Sequence, residues 1–150
     1  MKIAVASDHG GFALKQELAA FLRAKNLDII DYGCNSPESC DYAVYGYKAA
    51  QAVAQGICDG GILVCGTGAG ISLAANKVTG IRCTLCGDPA TAHLTKQHNN
   101  ANMIALGGRI VGGELAKMIV EAWLSAEFEG GRHQRRVGQI SQIEAGIFQP

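Results

Sequence analysis

Apolar residues fall along this chain in short runs separated by polar, glycine-rich breaks. Residues 3–7 are almost uninterrupted, the pattern of a strand covered on both faces. Over residues 11–25, Phe12, Leu14, Leu18, Phe21 and Leu22 recur near a 3.6-residue period and predict a helix. Residues 27–31 predict a second short strand. Residues 33–41, with Asn35, Ser36, Pro37 and Ser39, predict a loop. An Ala-rich helix is predicted over 42–54, weakened by Gly46. Gly60 and Gly61 turn the chain into a third strand at 62–65, followed by a short helix at 71–77. A fourth strand is predicted at 81–85 and a helix at 88–97, with Asp88 as N-cap and Pro89 at the first helical position. Residues 103–106 predict a fifth strand. Residues 113–126 predict a strongly amphipathic helix carrying Leu115, Ile119, Ala122 and Trp123. Residues 132–144 read as a last helix or a tail.

Strands and helices therefore alternate, and most strands are apolar throughout. This predicts a doubly wound α/β fold in which helices cover both faces of a five-stranded parallel sheet. Right-handed crossovers then place the ligand crevice at the C-terminal strand edges. Strand order does not follow from the pattern. No repeat, linker or low-complexity block divides the chain, so residues 1–150 read as one domain that includes the basic segment 130–150.

Composition narrows the function. Of 150 residues, 48% are hydrophobic and 17% charged, which excludes a disordered chain. Thirteen Lys and Arg balance thirteen Asp and Glu, so no overall basic field attracts nucleic acid or an anionic membrane. No apolar run reaches the length of a spanning helix, and the first one is too short for a secretory signal. A cytoplasmic protein is expected. Its six cysteines then read as reduced thiols, not a disulfide framework.

The chemistry clusters at strand ends. Asp8, His9, Gly10 and Gly11 follow the first strand. Cys65 and the loop Gly66-Thr67-Gly68-Ala69-Gly70 close the third, and Asp88 follows the fourth. His98, Asn99, Asn100 and Asn102 precede the fifth, and Gly107, Gly108 and Arg109 follow it. Most of these groups are expected at one sheet edge, as a site. The glycine loop suits backbone N–H groups converging on an anion at a helix start. It departs from the dinucleotide fingerprint, because its third glycine falls one residue early and it follows the third strand. A nucleotide-binding module remains an alternative, with Asp31 about 20 positions beyond Gly11 as its ribose-binding acid. So does a non-catalytic interaction protein.

Thiols before a helix N-terminus ionise more readily than free ones, so Cys65 reads either as a nucleophile or general base or as a buried core residue. Cys83 and Cys86 have C-x-x-C spacing, but residues three apart on a strand point to opposite faces, against a zinc site. Cys34 and Cys40 flank a loop, and Cys58 sits in a turn. His9 and His98 lie in polar loop contexts, whereas His93 reads as structural or surface. No paired-histidine metal motif occurs. If 132–136 is helical, Arg132 and Arg136 share a face and offer two guanidinium forks to a phosphate; the competing reading is a solvated basic turn.

Several separated motifs together resemble the ribose-5-phosphate isomerase B family, which includes allose- and galactose-6-phosphate isomerases. They are Ser7-Asp8-His9-Gly10-Gly11, Asp41-Tyr42, Cys65-Gly66-Thr67-Gly68, Gly70-Ile71-Ser72 and Ala74-Ala75-Asn76-Lys77. Gly80-Ile81-Arg82, Gln97-His98-Asn99, Asn102, Gly107-Gly108-Arg109 and Glu129-Gly130-Gly131-Arg132-His133 continue the series over nearly the whole chain. The resemblance implies a Rossmann-like three-layer α/β/α sandwich and cofactor-free aldose–ketose isomerisation of ribose 5-phosphate and ribulose 5-phosphate through an enediolate. It also implies a homodimer or homotetramer whose active sites are shared between subunits. By the same resemblance Cys65 is the base that moves a proton between C1 and C2, and Thr67 lies beside it. His98 and Asp8 open the furanose ring. The stretch from Gly66 through Gly68, Ala69 and Gly70 is the anion hole. His9, Arg109, Arg132 and Arg136 bind phosphate, Asn99 contacts substrate and Tyr42 lines the sugar pocket. Relatives often carry Pro where this chain has Ala43, which bears on the loop over the sugar. A hexose 6-phosphate substrate is the nearest alternative.

Overall fold

The computed structural model of the chain describes all 150 residues. Its elements are β1 (Lys2–Ser7), α1 (Phe12–Ala24), β2 (Asp28–Asp31), α2 (Tyr42–Ala54), β3 (Gly60–Cys65) and α3 (Ala69–Ala75), followed by β4 (Cys83–Leu85), α4 (Pro89–Asn99), β5 (Met103–Gly107), α5 (Gly113–Ser125) and α6 (Arg132–Glu144). The last segment, open between helix and tail in the sequence, is thus helical. The five strands form one parallel sheet in the order β2-β1-β3-β5-β4. After β2 the chain crosses back over β1 to place β3, so the switch point lies between β1 and β3.

Alternation along each central strand feeds two separate cores. Ile3 and Val5, Ile62 and Val64, and Ile104 and Leu106 face one side, where Leu18 of α1, Ala92 of α4 and Ile119 and Trp123 of α5 cover them. Ala4 and Ala6, Leu63 and Cys65, and Met103 and Ala105 face the other, under α2 and α3. The result is a Rossmann-like three-layer α/β/α sandwich. The α2–α3 side is built of small residues such as Ala49, Ala50 and Ala75, so these helices sit close. Gly46 belongs to that arrangement. A Cβ there would stand 2.9 Å from Ile71 Cγ1. The residue that weakens α2 by propensity is what lets it pack on α3.

Lys15 of α1 is 1% exposed, which its spacing did not foretell. Its Nζ lies 2.8 Å from each Asp31 carboxylate oxygen and donates to the Cys34 carbonyl at 2.7 Å. Asp31 also accepts the Gly33 N–H at 2.8 Å. The acid that a nucleotide's ribose would need is thereby committed to holding β2 and its loop. No helix is long and apolar enough to cross a membrane.

Candidate active site

The register of β1, β3 and β5 pairs Ser7 with Val64 and Cys65 with Gly107, so these strands end level with one another. Asp8, just beyond β1, is buried, and its carboxylate accepts the Gly11 N–H at 3.1 Å, capping a 3₁₀ turn at His9–Gly11. This turn lies against the β3 loop so closely that a Cβ on Gly10 would stand 3.1 Å from the Gly66 nitrogen. The Cys40 N–H meets His9 Nδ1 at 3.2 Å. The Cys40 carbonyl oxygen lies 3.3 Å from the same nitrogen, so the loop holds this edge of the ring.

Cys65 ends β3 on the α2–α3 side and is 4% exposed. It belongs to the core and also lines a cavity of about 200 Å³ with Asp8, His9, Tyr42, Thr67 and Arg109. Its Sγ accepts the Gly68 N–H at 3.1 Å. Gly68 itself sits at φ +80°, which carries the chain from this contact into α3. An L side chain is strained there, and its Cβ would meet the Leu106 carbonyl carbon at 2.8 Å. Ala69 N–H donates to Thr67 Oγ1 at 3.3 Å. Two of the amides expected to line an anion hole, those of Gly68 and Ala69, are therefore engaged within the loop. Gly70, in the first turn of α3, has no intrahelical acceptor for its N–H. The lack of a side chain there admits the Tyr42 ring, which a Cβ would meet at 2.8 Å. The Arg109 N–H donates to the Gly66 carbonyl at 3.0 Å, and its guanidinium lies beside Gly66.

His98, Asn99, Arg132 and Arg136 are not in this cavity, and the expectation that His98 and Asn99 share its sheet edge is corrected. In a parallel sheet each crossover helix runs back toward the strand N-termini. α4 accordingly ends just before β5 begins, where the Gly61 N–H donates to the Asn102 carbonyl at 3.1 Å. From Gly61 to Cys65 the sheet rises roughly 13 Å, so one chain keeps His98 and Cys65 at opposite edges. Asn99 instead borders a cavity of about 550 Å³ between Arg82 and Ile140 and Ile143 of α6. Arg132 and Arg136 are exposed on the first turns of α6.

His98 is not alone at its edge. The buried His133 ring lies parallel to it, with centroids 4.3 Å apart and planes within 4°. Glu129 Oε2 lies 4.0 Å from His98 Nε2 and 3.5 Å from His133 Nε2. The Glu129 N–H donates to the Gln97 carbonyl at 3.0 Å, tying this loop to α4. Burial, then the charges of His98, Arg132 and Arg136, hold the His133 pKa below the ordinary histidine range, with Glu129 opposing in part. Nitrogen lone pairs lie in the plane of their ring, so two parallel rings do not aim at a common point. Arg132 Nε, moreover, approaches His133 Nε2 at 3.4 Å as a donor. The trio's donor atoms lie within 4.8 Å of one another but do not converge as metal ligands. Sequence reasoning assigned nothing to Glu129 or His133. The signal lay in α6 itself, where His133 follows Arg132 and so turns away from the arginine face.

The remaining chemistry-bearing residues are structural. Cys83 packs in the α2–α3 core and Cys86 in the opposite one, as their spacing predicted. Burial, with Asp88 nearby, pushes the Cys86 thiol up to about 12 and the Cys83 thiol higher still by burial and by Cys86. Asp88 caps α4 through the Thr91 N–H at 2.8 Å and the Thr91 hydroxyl at 2.7 Å, which hold its carboxyl below the usual range. Ala43 is exposed in the first turn of α2, where proline is equally at home, so this departure leaves the backbone undisturbed.

A thiol, a carboxylate, an imidazole and a guanidinium gathered around a glycine loop at the switch point of a parallel sheet define a Rossmann-like α/β enzyme. The family model described as Ribose/Galactose Isomerase matches residues 3–140, and the chain belongs to that family. Ribose-5-phosphate isomerase B of Escherichia coli K12 is 55% identical over 143 residues, covering 95% of this chain and 96% of the relative. The solved ribose-5-phosphate isomerase B of Clostridium thermocellum is 53% identical with a TM-score of 0.97, covering 97% of this chain and 99% of that one. That of Mycoplasma genitalium with bound ribulose-5-phosphate is 40% identical with a TM-score of 0.93, covering 96% of each chain. The chain is thus a sugar-phosphate isomerase of this family.

Proposed function

We propose that the protein interconverts ribose 5-phosphate and ribulose 5-phosphate, with Cys65 as the base. The carrying observation is the buried thiol that lines the cavity while accepting a backbone N–H from Gly68. That N–H donates to the sulfur, which as a thiolate can remove the proton from C2 of the open-chain aldose. The electron pair forms the C1–C2 double bond, and O1 takes the negative charge. O1 then takes up a proton as O2 gives up its own, and the same sulfur returns the carried proton to C1 while the O2 electron pair forms the C2 carbonyl. One base on one face of the enediolate suffices. Free loop amides, that of Gly70 among them, and Thr67 are disposed to meet the oxygen charge. His9 and Arg109 hold the phosphate, and Tyr42 bounds the sugar.

His98 and Asp8 serve ring opening, which moves the O1 proton away and delivers one to O4 as the C1–O4 bond breaks. Because His98, Asn99, Arg132 and Arg136 lie at the far edge of their own chain, we assign them to the cavity of a second copy. The ligand named for the Mycoplasma genitalium structure supports the pentose reading.

The test is turnover of purified protein on ribose 5-phosphate beside allose 6-phosphate. The pentose is expected to have the larger kcat/KM. Cys65→Ala is expected to lose about 10²–10⁴-fold in kcat and still bind ribulose 5-phosphate. Near-normal turnover by that variant would remove the proposed base, and a larger hexose value would replace the substrate.

A further inference from the structure

We propose that His133 and Glu129 are positioning residues for His98: the flat His133 ring fixes the plane of the His98 imidazole, and the Glu129 carboxylate stabilises the positive charge His98 gains when it takes a proton. This rests on the ring-opening role given to His98 above.

His98 makes no side-chain hydrogen bond within the chain, and its nearest charged group is Glu129 Oε2 at 4.0 Å. A catalytic imidazole ordinarily has one nitrogen bonded to a group that fixes its orientation. Here the ring is oriented by stacking instead, with centroids 4.3 Å apart and planes within 4°. His133 is itself immobilised. It is buried near the start of α6, and its Nε2 accepts from Arg132 at 3.4 Å. That bond places the hydrogen of the neutral ring on Nδ1. A neutral ring under His98 offers its π face to an imidazolium, whereas a charged one would repel it. Glu129 faces the Nε2 edge of both rings, and its backbone bond to Gln97 keeps it level with His98. Both groups therefore bear on the angle and the charge balance of His98, and neither lines the Cys65 cavity of its own chain.

The consequence is a split between two steps that ordinary turnover merges. Ribose 5-phosphate is a furanose and must open. Ribulose 5-phosphate is acyclic, because its O5 carries the phosphate and no other hydroxyl closes a five-membered ring on C2. Exchange of its C1 proton with deuterated solvent needs the Cys65 base but no ring opening, and NMR follows it directly.

His133→Ala is expected to lower kcat on ribose 5-phosphate about 10–100-fold, the usual loss when a supporting partner goes. Its C1 exchange rate on ribulose 5-phosphate should stay within about threefold of wild type, since that step is outside the positioning argument. His133→Phe, which keeps a flat ring, should recover most of the loss. Glu129→Gln should lower ring-opening turnover in the same selective way. Equal falls in both rates, no fall in either, or a Phe variant no better than Ala would each overturn the proposal. A wild-type protein that exchanges C1 hydrogen but does not turn over ribose 5-phosphate would instead defeat the ring-opening reading beneath it.

Discussion

At the residue scale the site depends on positions that carry no side chain. Gly68, whose N–H meets Cys65, occupies a positive φ that strains any L side chain, and Gly10 and Gly70 admit Gly66 and Tyr42 at distances a Cβ would block. That Cys65, Asp8, His9 and Arg109 share a cavity was legible because each stands just past or at the end of a strand in a glycine-containing stretch. The engagement of the Gly68 and Ala69 amides was not, since a glycine's φ and an amide's direction have no one-dimensional signature. His133 carries a pH prediction. Its folded pKa lies below that of the unfolded chain, about 6.5, so unfolding takes up a proton between the two values. The associated stability is present above about pH 6.5 and lost as pH falls through the folded value. Titrating groups from α4 and the preceding loop, His98 and Glu129, and Arg132 and Arg136 of α6 all face it. Urea midpoints measured between pH 7.5 and 5.5 are expected to fall more steeply for wild type than for His133→Phe. Parallel profiles would contradict a histidine held neutral by the fold.

At the element scale the alternation of strand and helix was legible as far as α5, because the central strands are apolar on both faces, whereas the sequence left α6 open between helix and tail. The edge strand β2 needed more than hydrophobic pattern. It is held to α1 by the Lys15–Asp31 pair, and a lysine within an amphipathic helix ordinarily reads as solvated. Removing one member of a buried pair costs about 3–5 kcal/mol when the other charge stays buried. Lys15 is 1% exposed at its side chain and Asp31 24%, so the two removals differ. Asp31→Ala strands the buried ammonium and is expected near the upper end of that range, whereas Lys15→Met leaves a carboxylate that water can reach. Chemical denaturation should therefore rank Asp31→Ala as the more damaging variant. The reverse order would mean that the methylene packing of Lys15 outweighs its charge.

At the scale of the whole molecule, the groups assigned to the proposed reaction fall into two separate sets on each chain. The thiol, Asp8, His9 and Arg109 gather at the C-terminal edge, while His98, Asn99 and the two arginines of α6 stand at the other. The sequence placed His98 and Asn99 just before strand five, but proximity along the chain did not say which edge they reach. Helix direction in a parallel sheet decides that. Two copies related by a twofold axis would bring unlike sets together twice, since such an interface is reciprocal. A dimer built this way has two sites, each with the base of one subunit and the ring-opening histidine of the other.

Subunit mixing reads this out. Cys65→Ala and His98→Asn are each expected to be nearly inactive on ribose 5-phosphate. A hybrid of the two has one site bearing both lesions and one site bearing neither. Unfolding and refolding the variants together in equal amounts should restore about a quarter of wild-type activity, as random pairing into reciprocal dimers requires. A mixture as inactive as its separate components, with dimers demonstrably exchanged, would contradict a site shared between two chains.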